Sequence, residues 1–136
     1  MGHLIGTSNS NNYGEQVFIK KASEYLDDCN IIYWNRQLFG KEFDVCILMP
    51  EKGILVVELK GWREENILRV ENNDSVIIQT DDGEVSASPQ KQARGYRFSI
   101  ERHIRQNIGK FPLVYQMVCL PQVSKAFFKS HRLDVV

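Results

Sequence analysis

The stretch Gly40 to Trp62, GKEFDVCILMPEKGILVVELKGW, places charged groups where a strand should be apolar. Two runs, Phe43 to Met49 and Ile54 to Leu59, are rich in Val, Ile, Leu and Phe and are separated by Pro50-Glu51-Lys52-Gly53, the composition of a β-hairpin. The second run is apolar at successive positions from Ile54 to Val57, which predicts a central strand covered on both faces. It ends, however, in Glu58-Leu59-Lys60. Alternate residues of a strand point the same way, so Glu58 and Lys60 are expected on the face that Ile54 and Val56 begin. Burying such groups is costly unless they are paired or hold a metal.

Asp44, near the start of the first run, makes the loop length decisive. A three-residue loop, Pro50 to Lys52, pairs Met49 with Gly53 and sets Asp44 opposite Glu58, and cross-strand partners share a face. A two-residue loop sets Asp44 against Leu59 and throws the two carboxylates onto opposite faces. A shared carboxylate site therefore requires an odd loop or a bulge.

An Asp followed by Glu-x-Lys after a hydrophobic hairpin resembles the metal-dependent nuclease core known as the PD-(D/E)XK fold. More narrowly, Gly14-Glu15, Glu42-Phe43-Asp44, Lys52-Gly53-Ile54, Val57-Glu58-Leu59-Lys60-Gly61-Trp62 and Pro89-x-x-Gln92 are similar to the nuclease-related domain, or NERD, family. The likeness runs from about Tyr13 to Pro121. The chain departs from the superfamily's name in one respect, since Phe43 rather than proline precedes Asp44. The resemblance implies an α/β, restriction-endonuclease-like core: a mixed β-sheet of about four strands flanked by helices, with an inserted β-hairpin.

At 136 residues the chain has the size of one domain. Its 43% hydrophobic and 25% charged residues match an ordinary globular composition rather than a disordered one. No apolar run approaches the roughly 20 residues that span a bilayer. The polar start MGHLIGTSNSNN lacks a signal peptide's apolar segment, so the expected location is cytoplasmic, with no membrane partner. Cys29, Cys46 and Cys119 are odd in number and without close spacing, which reads as reduced core residues. His3, His103 and His131 show no ligand spacing, which argues against zinc. The formal charge of zero hides an asymmetry: residues 1–85 carry eight Lys and Arg against fifteen Asp and Glu, and residues 86–136 carry nine against two. An acidic half holding the candidate metal ligands thus meets a basic half suited either to phosphates or to neutralising its partner across the fold.

Along the chain, residues 1–12 read as a flexible arm, with Asn11 or Asn12 a candidate helix cap, and residues 13–136 as the nuclease-related domain. Gly14 to about Asp28 has helical periodicity, with Glu15 one turn before Phe18, Ala22 and Tyr25. A Glu in a first turn ordinarily serves the helix dipole; the Gly-Glu likeness to the family gives it a functional reading. Asn30 to Asn35 reads as a strand and Arg36 to Lys41 as a loop. Ile67 to Val70 and Val76 to Thr80 read as a second hairpin, ended by Asp81-Asp82-Gly83. Ser88-Pro89 opens a helix running to about Asn107, with serine as cap and proline at the first position. On it Gln92 and Tyr96 share a face, and their Gln-x-x-x-Tyr spacing resembles a motif of RecB-type nucleases. Leu113 to Leu120 reads as a buried strand, Ser124 to Ser130 as a helix and Arg132 to Val136 as the start of another strand. The family's habit of preceding helicase, kinase or other domains leads us to expect a fragment of a longer protein.

The resemblance carries a chemistry. Asp44, Glu58 and the Leu59 carbonyl would offer oxygen ligands suited to Mg²⁺ or Mn²⁺, and Lys60 would orient the attacking water or stabilise the transition state. Glu15 would bind a second metal or a water, Gln92 would fix a water or Lys60, and Tyr96 would meet a phosphate. Arg94, Arg97, Arg102 and Arg105 make the rest of that helix basic and suited to nucleic acid. The implied function is metal-dependent hydrolysis of DNA, with RNA as the other substrate class. The alternative is a catalytically weak or inactive module that docks nucleic acid or protein for a C-terminal partner, and a repair or junction-resolving nuclease of the same superfamily is a third reading. With no family in view, Asp44, Glu58 and Lys60 would form a buried ion network.

Overall fold

The computed structural model describes residues 2–5, 13–38, 41–109 and 113–136. In chain order these form β1 (His3–Ile5), α1 (Tyr13–Tyr25), β2 (Ile31–Leu38), β3 (Lys41–Met49), β4 (Gly53–Leu59), β5 (Ile67–Glu71), β6 (Ser75–Thr80), β7 (Gly83–Ala87), α2 (Pro89–Ile108), β8 (Val114–Cys119) and α3 (Lys125–Ser130). The strands build a mixed sheet in the order β1-β2-β3-β4-β8 and a separate three-stranded sheet, β5-β6-β7. In the larger sheet β2, β3 and β4 are antiparallel neighbours, while β1 joins β2 and β8 joins β4 in parallel. This is the mixed sheet that the family resemblance implies, with five strands where about four are expected.

The period-2 alternation of β3 and β4 divides the core into two layers. Val45, Ile47, Val57 and Leu59 pack with Ile19 and Phe18 of α1 on one face. Cys46, Val56 and Ile54 pack with Ile100, Tyr96 and Ile104 of α2 on the other. Val45, Val56 and Val57 are wholly buried, as expected for central strands covered on both faces.

The hairpin between β3 and β4 takes the three-residue loop: Met49 pairs with Gly53 and Val45 with Val57. Pro50 sets the first bend, Glu51 takes a left-handed φ of 67°, and the Lys52 N–H closes on the Met49 carbonyl at 3.0 Å. Gly53 has a φ of +130°, and a Cβ there would collide with the Leu113 carbonyl oxygen. That oxygen accepts the Ile54 N–H at 2.9 Å, fixing where β8 begins along β4. Glycine is thus required twice at one position, by dihedral and by close approach.

Several local expectations are corrected. Residues 3–5 of the expected flexible arm form a strand beside β2, because an extended segment satisfies its backbone groups on an open sheet edge; the rest of the arm with its Asn caps, residues 6–12, lies outside the described residues. Helix α1 ends at Tyr25 rather than Asp28. Arg36 to Leu38, expected in a loop, continue β2, and Lys41 already belongs to β3; antiparallel pairing overrides their polar character. Asp81-Asp82 does not end the inserted hairpin but turns it into a third strand, β7. The last residues form a short 3-10 turn, Leu133–Val135, instead of a strand, after Arg132 in a left-handed conformation.

That C-terminal turn closes a third cluster. Leu133 and Val136 pack against Ile67, Val76 and Ile78 of the small sheet, with Trp62, Phe127 and Phe128 around them. Ser88 is the N-cap residue of α2 by position but makes no side-chain cap bond. The Gln90 N–H is met instead by the Val136 carbonyl at 2.8 Å, a tertiary solution to the unpaired donors of a helix start.

Gly53→Ala is expected to cost about 1–3 kcal/mol or more, since it combines an unfavourable dihedral with a backbone collision. Urea denaturation of the two proteins measures the loss, and equal midpoints would show that β8 tolerates displacement at this point.

Candidate active site

Asp44 and Glu58 lie one residue beyond the last β3–β4 pair, Val45 with Val57, so strand alternation turns both carboxylates to the α2 side of the sheet. They lie at the end of the apolar layer, where β4 runs out. Glu58 is only 2% exposed, and its Oε1 stands 2.9 Å from Lys60 Nζ. Asp44 Oδ2 accepts the Leu59 backbone N–H at 2.9 Å. Lys60 Nζ also donates to Gln92 Oε1 at 3.1 Å, and Gln92 Nε2 donates to the Tyr96 hydroxyl at 2.9 Å. One hydrogen-bonded line thus runs from the carboxylates through Lys60 and Gln92 to Tyr96, whose ring packs in the core.

Each side chain is placed by its element. The alternation at the end of β4 puts Glu58 and Lys60 on one face, and the Lys60 N–H is tied to the Cys119 carbonyl of β8 at 3.1 Å. Pro89, Ala93 and Ile100 bury one side of α2, which brings the neighbouring positions Gln92 and Tyr96, four apart, to the rim beside Lys60. The Trp62 ring lies near the same ammonium, its centroid 5.9 Å from Nζ. In the sequence Trp62 figures only as the last residue of a motif, with no role of its own, and strand alternation does not reach it because β4 ends at Leu59.

The electrostatics are those of crowded acids. Burial pushes the Glu58 carboxyl up to about 7, helped by the charge of Asp44 and opposed by Lys60. Asp44 is raised as well, chiefly by burial and also by the charge of Glu15, against the Leu59 N–H and Lys60, which lower it. Glu15, near the start of α1, is buried at 8% exposure and joins the group from the other helix. Among the described residues no three Asp, Glu, His or Cys side chains sit close enough to form a ready-made metal cage. The donor set is two desolvated carboxylates that repel one another, which fits a hard divalent cation.

The basic residues stand apart from this group. Arg94, Arg102 and Arg105 are exposed on α2, and two or thirteen residues from Gln92 is roughly 200–220° around a helix, so Arg94 and Arg105 project from the opposite half of the helix. Arg97 is half-buried, 3.6 Å from Glu101, with its guanidinium over the Phe98 ring.

The family model of the nuclease-related domain matches residues 10–121. This chain belongs to the NERD family. The match covers the larger sheet from β2 onward, both long helices and every residue of the site just described. The restriction-endonuclease-like class expected from the hairpin is therefore that of a NERD domain, a PD-(D/E)XK-type nuclease domain. No curated protein and no solved structure matches the chain. No helix among the described residues of this NERD domain is long and apolar enough to cross a membrane.

The raised Glu58 makes a prediction about stability. An unfolded Glu ionises near 4.5 and the folded one at about 7, so between those values the fold holds a proton that the unfolded chain has released. Metal-free stability should therefore fall as pH rises from about 4.5 to about 7 and stay low above it, and Asp44 adds in the same direction. In Glu58→Gln this slope should be markedly shallower. Urea midpoints at a series of pH values measure it, and parallel curves for the two proteins would mean that Glu58 carries no desolvation penalty.

Proposed function

We propose that this NERD domain is a metal-dependent nuclease that hydrolyses phosphodiester bonds of DNA. The observation that carries the reading is the buried Glu58 carboxylate beside Asp44, with Lys60 held against it by Gln92. Two desolvated acids cost stability unless their charge is used, and a lysine held among them by hydrogen bonds is a positioned cation rather than a solvated one.

Asp44, Glu58 and the Leu59 carbonyl would hold Mg²⁺ or Mn²⁺. In an extended strand a residue's N–H and C=O leave on the same flank, so the Leu59 N–H bond to Asp44 directs the Leu59 carbonyl to the same side. Bound there, the cation supplies Lewis acidity towards a phosphoryl oxygen and neutralises charge at phosphorus. Lys60 has three N–H donors and no acceptor, and orients the attacking water or stabilises the charge that develops on the phosphoryl oxygens. Gln92 holds Lys60 without adding negative charge, and Tyr96 anchors Gln92 and faces an incoming phosphate. Glu15, whose charge acts on Asp44, would hold a water or a second cation. Arg94, Arg97, Arg102 and Arg105 supply sequence-independent attraction for the backbone of a long substrate.

The test is cleavage of plasmid DNA by the purified protein with Mg²⁺ or Mn²⁺, alongside calorimetry of Mn²⁺ binding. Asp44→Asn and Glu58→Gln should weaken Mn²⁺ binding and abolish cleavage, whereas Lys60→Ala should keep Mn²⁺ binding and lose about 100-fold or more in rate. A wild-type protein that binds DNA but leaves it intact with either metal would instead identify a docking module.

The basic helix makes a separate prediction. Replacing Arg102 and Arg105 together should weaken DNA binding and flatten its salt dependence, each lost phosphate contact removing roughly 0.9 from the log-log slope. Fluorescence anisotropy in Ca²⁺ or without metal measures it, and an unchanged slope in a folded double variant would assign these arginines to the solvated surface.

A further inference from the structure

We propose that Trp62 is a positioning residue that holds the Lys60 ammonium at the carboxylate pair through the face of its indole ring. The proposal rests on the nuclease reading for its effect on rate, and on geometry alone for its effect on Lys60.

Lys60 has three N–H bonds to place. Glu58 Oε1 takes one at 2.9 Å and Gln92 Oε1 another at 3.1 Å. The Trp62 ring, its centroid 5.9 Å from the same nitrogen, is a further neighbour of the ammonium. A cation at that range is attracted by the negative face of an aromatic ring, and tryptophan offers the strongest such face. Lys60 is 22% exposed along its side chain, so water screens this attraction only in part.

The ring is itself held. Trp62 packs on the cluster formed by the small sheet and the C-terminal turn. It borders a partly enclosed cavity of about 30 Å³ with Pro89, Gln90, Leu120, Phe128 and Val136. Pro89 and Gln90 open α2, the helix that carries Gln92. The two uncharged holders of Lys60, the Trp62 ring and the Gln92 amide, therefore rest on the same small core, and the Gln90 N–H bond to the Val136 carbonyl ties that core to the helix start. Glu58 is the partner of Lys60 that any chemistry at the carboxylates would draw away. Trp62 and Gln92 carry no charge to lose, and they keep the ammonium in place when Glu58 is engaged elsewhere. The inserted sheet thereby acquires a role as the bed for the ring that sets the lysine.

The experiment compares Trp62→Phe with Trp62→Leu in the whole chain. Both keep an apolar plug in the small core, but only phenylalanine keeps an aromatic face. The first readout is the NMR shift of the Lys60 ε-methylene protons, assigned by their loss in Lys60→Arg. These protons should lie upfield of those of the other lysines in the wild type, stay largely so in the phenylalanine variant and return to the ordinary range in the leucine variant. The second readout is the kinetics of plasmid cleavage with Mn²⁺: kcat should fall roughly 2- to 30-fold in the leucine variant with KM unchanged, and be substantially restored in the phenylalanine variant. Unshifted Lys60 protons in the wild type would overturn the proposal. So would equal kcat values in the two variants, or a loss confined to KM, which would make Trp62 a substrate contact. If the wild type cleaves nothing, the nuclease reading fails, and the methylene shifts alone decide the positioning role.

Discussion

The structure depends on a carboxylate buried at the end of an apolar strand. Glu58 continues the face of Ile54 and Val56 and is almost fully enclosed, with Asp44 beside it. Removing a carboxylate from water is among the more expensive things a fold can do, and a second acid next to it raises the cost. The groups around the pair reduce that cost in specific ways. A backbone N–H meets Asp44, an ammonium meets Glu58, and a neutral amide steadies the ammonium. What remains uncompensated is visible as a carboxyl that titrates near neutrality.

That arrangement is possible only because the strands around it are in register. A slip of one residue between β3 and β4 would send Asp44 to the α1 face and leave Glu58 alone with Lys60. The three-residue turn prevents the slip, and Gly53 admits the turn by accepting a dihedral and a contact that other residues resist. The same glycine lets β8 begin against β4, and β8 in turn anchors the Lys60 backbone. The site is thus fixed at its far end, some five residues of strand away from the acids it positions.

The small sheet and the C-terminal turn form one core that reaches the start of α2. Their shared core holds Trp62 and reaches the first turn of α2, where a carbonyl from Val136 stands in for the missing serine cap. Gln92 follows from that helix start, so its position depends on residues more than forty places further along the chain.

Local pattern sets the two-faced apolar strand, the placement of Glu58 and Lys60 on one face and the shared face of Gln92 and Tyr96, while the mixed sheet between helices was legible only through the family resemblance. The first three follow from periods of 2 and 3.6, which are local properties. The sequence by itself did not determine which loop the hairpin uses, because two- and three-residue turns are both open to Pro-Glu-Lys-Gly. The contact between Gly53 and Leu113 selects one, and it joins segments sixty residues apart. Nor did it determine that polar residues 36–38 extend a strand, that Asp81-Asp82 turns rather than ends the inserted sheet, or that the final residues coil back to cap α2. In each case a backbone group finds its partner in a distant segment, and such pairing leaves no trace in local periodicity. Asp44, Glu15 and Gln92 come from three separate elements, so only the tertiary structure could bring them to one place.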